Sequence, residues 1–200
     1  VIDLSENVTQ AFLGQRLRCA RCHNHPLEKW TQKQYYQFAN LFARVGLKNG
    51  DTAGEFIIYP KETGDVNHPR LLRPLAPTPL DGASAALDNP ADRRIAFAAW
   101  LTSPKNEYFA RNIVNRVWGN FFGRGLVHPV DDVRATNPAS NEELFDAVVK
   151  DFIAHGYDIR HLIRTIANSS TYQLSSEANA TNEQDNIFYS KYIVKRLPGE

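Results

Sequence analysis

The sequence predicts a mainly α fold: a small helical module around a Cys-x-x-Cys-His stretch, then a helical domain, joined by a proline-rich connection with one short strand. Three observations carry this. Apolar residues recur at helical spacing through most of the chain, helix-starting and helix-stopping residues bracket those segments, and prolines at 60, 69, 74, 77, 79 and 90 crowd the stretch between them. The expected boundaries are a module over residues 1–72, a linker over 73–89 and a helical domain over 90–200.

The first helix is expected from Ser5 to about Arg21, with Ser5 as cap and Leu4, Val8, Phe12 and Cys19 near helical spacing. Pro26 marks the exit from the stretch that follows. Thr31 and Gln34 form a capping-box pattern for a second helix to about Val45, with Tyr35, Phe38, Ala39 and Phe42 as its apolar stripe. Gly46, Gly50 and Gly54 then break helicity, and Phe56-Ile57-Ile58-Tyr59 is a strand candidate. Beyond the prolines, Asn89 and Pro90 start a helix with Ile95, Ala98 and Ala99 on one face. Asn106 to Phe122 follows, with Phe109, Ile113, Val117 and Phe121 in steps of four and Gly123 as its stop. Ser140 with Glu143 opens a helix ending at Gly156, Asp158 caps the next, and a last helix is expected over Ile187 to Lys195.

Composition narrows the function classes. An apolar fraction of 42% over 200 residues is enough for a real core. The 23 basic and 22 acidic residues are well mixed, so there is no electrostatic footprint for nucleic acid or an anionic membrane. No apolar run has the length of a membrane span. The chain opens Val-Ile-Asp and contains no methionine, which reads as an internal or processed piece of a longer protein.

The only two cysteines lie in Cys19-Ala20-Arg21-Cys22-His23. About one random placement in a hundred gives two cysteines this spacing, before the histidine is counted. Cys-x-x-Cys-His is the attachment signature of haem c: each thiol can add to one porphyrin vinyl group, and the histidine can take the iron. Two other chemistries share the spacing. Cys19, Cys22 and His25 also have zinc-site spacing and need one further ligand, from His23 or His68, so a structural zinc or iron centre stays open. A thioredoxin-like redox pair is disfavoured, since no strand precedes the pair.

Three of the six histidines precede proline, in His25-Pro26, His68-Pro69 and His128-Pro129. Proline stiffens the residue before it, which suits an imidazole ligand. With no methionine to serve as axial ligand, His68 is the expected second ligand and His128 the next. Trp30, Trp100 and Trp118 read as core. Arg111, Asn112, Asn115 and Arg116 read as a solvated face or a binding surface, Asp131-Asp132 as a turn, and His155 and His161 as capping or surface groups. No nucleophile triad, phosphate loop or carboxylate pair stands out, so whether the chain is an enzyme stays open.

The stretch from Phe12 through His25-Pro26, with Lys29-Trp30-Thr31-Gln32 and Tyr35-Tyr36, resembles the planctomycete cytochrome-c-like domain. Asn112 to Gly125, then Asp131-Asp132, Ser169-Ser170-Thr171-Tyr172 and Arg196-Leu197-Pro198, resembles the planctomycete-specific domain that follows it. The resemblance implies a segment of a large exported protein, periplasmic or at the cell surface, whose partners are other domains of the parent and a redox partner. A helper role in polysaccharide breakdown is suggested by the lifestyle of the organisms that carry the family.

Overall fold

A computed structural model describes residues 1–196. Leu197 and Pro198, quoted above for the second resemblance, lie outside the described residues. The chain divides into two compact units: Val1–Thr9 with Arg16–Asn106, and Gln10–Gln15 with Glu107–Glu200. Among the described residues there are six α-helices and a two-stranded antiparallel sheet, with about 36% helical content. The expectation of a mainly α fold is therefore corrected to mixed content, because long stretches between helices are built on side-chain-to-backbone hydrogen bonds instead.

In the first unit, α1 (Ile2–Val8) ends far short of Arg21. A π-helical turn, Thr9–Leu13, follows it, passing at Gln10 into the segment that belongs to the second unit, and a 3-10 turn, Leu17–Arg21, back in the first unit carries Cys19. Gly14 between them has φ +64°, a left-handed conformation that no helix can continue through. α2 (Gln32–Ala39) has the expected capping box: Thr31 Oγ1 accepts from Gln34 N–H, and Gln34 Oε1 accepts from Thr31 N–H. It ends six residues before Val45, because the chain turns into β1 (Val45–Asn49), which pairs with β2 (Phe56–Pro60). β2 is the expected strand; β1, with its glycine and lysine, gave no strand signal.

Residues 73–89 do not stand apart as a linker. Leu75 and Leu80 are buried in the first unit, and Thr78 N–H donates to Gln37 O. Asn40, fully buried, explains the docking: its amide donates to Tyr36 O, Val66 O and Leu75 O, and its oxygen accepts from Val66 N–H. α3 (Arg93–Leu101) also belongs to this unit. Its cap is Asp92 rather than Asn89, and Phe97 packs edge-on against Phe38 and Phe42. Arg93 is buried, donates to Asn40 O and Leu87 O, and pairs with Asp65 at 2.7 Å.

The second unit is built on α4 (Tyr108–Phe122), α5 (Glu142–Ala154) and α6 (Ile159–Ala167). Gly123, at φ +76°, ends α4 as expected. The most buried row of α4 is Ala110, Val114, Trp118 and Phe122; the expected stripe at 109, 113, 117 and 121 is half-buried. α4 is apolar on both rows because it is the central helix. Asn141, not Ser140, caps α5, accepting from Leu144 N–H, while Asp158 caps α6 as expected.

The expected helix from Ile187 to Lys195 is absent. Asp185 intercepts its first turn by accepting from the N–H groups of Ile187, Phe188 and Ser190 and from the Ser190 hydroxyl. The resulting loop sends Tyr189 into the core, where its hydroxyl donates to Gly125 O at 2.8 Å. The Ser190 hydroxyl, then the Phe188, Ile187 and Ser190 N–H groups, hold the Asp185 carboxyl well below the usual range. A depressed folded pKa means that this stabilisation is complete above the ordinary carboxylate range and is lost as pH falls below it. The protection of the Phe188 and Ser190 amides, measured against their intrinsic exchange rate at each pH, should therefore fall on acidification into that window, and Asp185→Asn should remove the dependence. A flat profile in the parent protein would count against the loop's dependence on this charge.

Candidate functional site

The Cys19/Cys22 segment is placed by α2. Gln32 Nε2 donates to Arg21 O and Cys22 O, each at 3.0 Å, and Tyr36 Oη donates to Arg21 O at 3.3 Å. Asn24 Oδ1 accepts from Gln32 N–H, and His25 N–H donates to Trp30 O, so the loop closes back onto the helix start. Trp30 is buried beneath it, a core residue. Burial pushes the Tyr36 phenol up, with Arg21 opposing, so it stays a neutral donor to the loop.

Cys19 and Cys22 are free and exposed. Cys22 closes the 3-10 turn, its N–H donating to Cys19 O, and side chains three residues apart on such a turn share a face. The three histidines near them differ in what their rings offer. His23 is exposed, and its Nδ1 lies 2.7 Å from Asn24 O, a carbonyl to which that nitrogen donates, which leaves Nε2 as the nitrogen a neutral ring offers a metal. His25 spends both nitrogens locally: Nδ1 accepts from Leu27 N–H, and Nε2–H donates to Arg16 O.

His68 is 5% exposed, and its Nδ1 accepts from Arg70 N–H at 3.2 Å and Leu71 N–H at 3.4 Å, with the ring 5.2 Å from that of Tyr36. A neutral ring accepting at Nδ1 carries its proton on Nε2, which removes the lone pair a metal needs. His68 is the pivot of the 68–72 turn. The structure does not gather Cys19, Cys22, His25 and His68 into one centre. Among the described residues, the group of three metal-capable side chains whose ligand atoms lie within 4.8 Å of one another is Asp151, His155 and His161.

The polar residues of α4 are interior clamps rather than a solvated face. Asn112 Nδ2 donates to Ala11 O, Arg116 to Gln10 O, and Gln10 to the Asp131 carboxylate, which stitches Gln10–Gln15 into the second unit. Asn115, fully buried, donates to Val127 O and Val130 O and accepts from Val127 N–H. Arg111 pairs with Glu142 and Asp146 on α5. Asp132 pairs with Arg134 and its N–H closes a turn on Pro129 O, a turn role for the aspartate pair. His128 is exposed.

Residues 93–200 match the model of PSD1, a protein of unknown function (DUF1553), and residues 1–46 match that of PSCyt2, a protein of unknown function (DUF1549). The chain belongs to the PSD1 family, whose model spans more than half of it. Both families are planctomycete-type domains. No curated protein and no solved structure matches the chain. The PSD1 match begins at Arg93, at the start of α3, although α3 packs with the first unit. Among the described residues, no helix is long and apolar enough to cross a membrane.

Proposed function

We propose that the first unit is a c-type haem-attachment segment of a larger exported protein, acting in electron transfer. The single observation that carries this reading is the state of His23. Its Nδ1–H is engaged by a backbone carbonyl, which leaves Nε2 to a metal, and the residue directly follows a turn that carries two exposed thiols. That tautomer is the one an axial iron ligand requires. Cys19 and Cys22 would hold the porphyrin through thioether bonds and His23 the iron; when bound, the group supplies one-electron redox chemistry.

The chain's own part is to keep these donors in place. Gln32 and Tyr36 fix the carbonyls of Arg21 and Cys22, so the second thiol and the histidine leave the turn in one orientation. His68 is left out of the ligand set, because its Nδ1 serves the 68–72 turn. A zinc or iron centre built from Cys19, Cys22 and His25 is the weaker alternative, because both His25 nitrogens already have backbone partners.

Expression of the chain with an export signal, in cells with a working haem c maturation system, should give a chromophore that survives denaturation and a matching gain in mass. Cys19→Ala and Cys22→Ala together should abolish it, while His23→Ala should alter the Soret band. An intact mass equal to the bare polypeptide would overturn the reading.

A further inference from the structure

We propose that Asp151, His155 and His161 form a binding site for a divalent transition metal, with zinc as its best match. Asp151 and His155 stand one turn apart at the end of α5, and His161 lies in the first turn of α6. The Asp151 carboxylate faces both rings: Oδ1 is 3.2 Å from His155 Nδ1, and Oδ2 is 2.7 Å from His161 Nε2. The two imidazoles stack at 3.7 Å between centroids with 17° between their planes. One ligand atom from each residue lies within 4.8 Å of the others. Donor atoms around a tetrahedral zinc with bonds of about 2.0–2.2 Å stand about 3.4 Å apart; to close the set the two rings must turn out of their stack and exchange their hydrogen bonds to Asp151 for the ion. Two imidazoles and one carboxylate are donors that zinc accepts readily, with the remaining position left to water.

The turn between the helices makes this arrangement a built one. Gly156 and Tyr157 both have positive φ, and the N–H groups of Gly156 and Tyr157 return to Ile153 O and Phe152 O. The Tyr157 ring packs on Phe109 and Phe152, while Phe152 and Leu162 are buried anchors on either side. Asp158 holds the start of α6 by accepting from Arg160 and His161 N–H. The three donors therefore ride on packed helix ends, where little ordering remains to be done on binding. Helix capping accounts for His155, whose Nδ1 is also 2.8 Å from Asp151 O, but not for His161 aimed at the same carboxylate. All three side chains are partly exposed, so a metal can enter from solvent.

The test is zinc titration of the full chain carrying Cys19→Ser and Cys22→Ser, which removes competing thiolates. One equivalent should bind, and the ring resonances of His155 and His161 should move while those of His128 do not. His161→Ala or Asp151→Asn should weaken binding by about tenfold or more, as loss of a ligand does; His128→Ala should leave it unchanged. Should either variant fold poorly, the resonance shifts in the thiol-free parent decide alone. No zinc uptake by that parent, shifts confined to other histidines, or binding indifferent to both substitutions in folded protein would overturn the proposal.

Discussion

Asn40→Leu should destabilise the first unit by about 3–5 kcal/mol and free residues 66–75 for proteolysis. Asn40 has no exposed surface, and its side chain makes four hydrogen bonds to backbone groups of Tyr36, Val66 and Leu75. Leucine keeps the branching of the side chain, at greater volume, but leaves three carbonyls and one N–H without that partner in a dry setting, at about 1 kcal/mol or more each. Val66 loses a partner on both its N–H and its carbonyl. The measurement is amide exchange at Val66 with urea unfolding of the full chain, and limited proteolysis should cut first in the released segment. A loss below about 1 kcal/mol, with Val66 still protected, would show that the 61–87 stretch is held by its apolar residues alone.

That expectation bears on how much of this fold can be read from the sequence. Local signals were legible where a side chain acts on its own helix: Thr31 with Gln34 at α2, Gly123 after α4, Asp158 before α6 and the β-branched run of β2. Where a polar side chain serves a distant segment, periodicity misleads. Asn112 and Asn115 sit opposite an apolar stripe and so read as a solvated face, yet they clamp residues 10–15 and 127–130, whose irregular backbone announces no need for partners. Asn40 hides the docking of the proline-rich stretch in the same way. A proline cluster signals only that regular backbone pairing is absent; it does not say whether side chains take over.

The candidate sites divide along the same line. Cys19, Cys22 and His23 are adjacent in sequence, so their grouping was legible at once. Asp151 and His155 carry a helical i,i+4 spacing, but the third member of their cluster depends on a turn with two consecutive positive-φ residues, one of them the non-glycine Tyr157. Spacing rules anticipate no such turn. Pro69 makes His68 read as a ligand, but its Nδ1 accepts from Arg70 and Leu71 N–H and so serves the turn that His68 itself caps.

Phe122→Ala should cost the second unit about 3–5 kcal/mol, the range for truncating a buried phenylalanine that leaves a cavity. Phe122 is 2% exposed and stands at the end of α4 among rings that cannot follow it inward. It stacks on Trp118 at 4.4 Å and meets Tyr189 at 5.2 Å and Tyr172 at 5.6 Å edge-on. Each neighbour is fixed separately: Trp118 by α4 itself, Tyr189 by its hydroxyl bonds to Arg124 O and Gly125 O, and Tyr172 by its own edge contacts with Phe121 and Tyr192. Collapse into the space would sacrifice those bonds, so the cavity should stay open and the cost should fall near the upper end. Because the chain holds two compact units, the measurement is amide exchange resolved to α4 and α5 rather than a single melting curve. Phe122→Leu should recover more than half of the loss by refilling most of the volume. Equal losses for alanine and leucine would mean that ring-on-ring geometry, rather than filled volume, holds this end of the core.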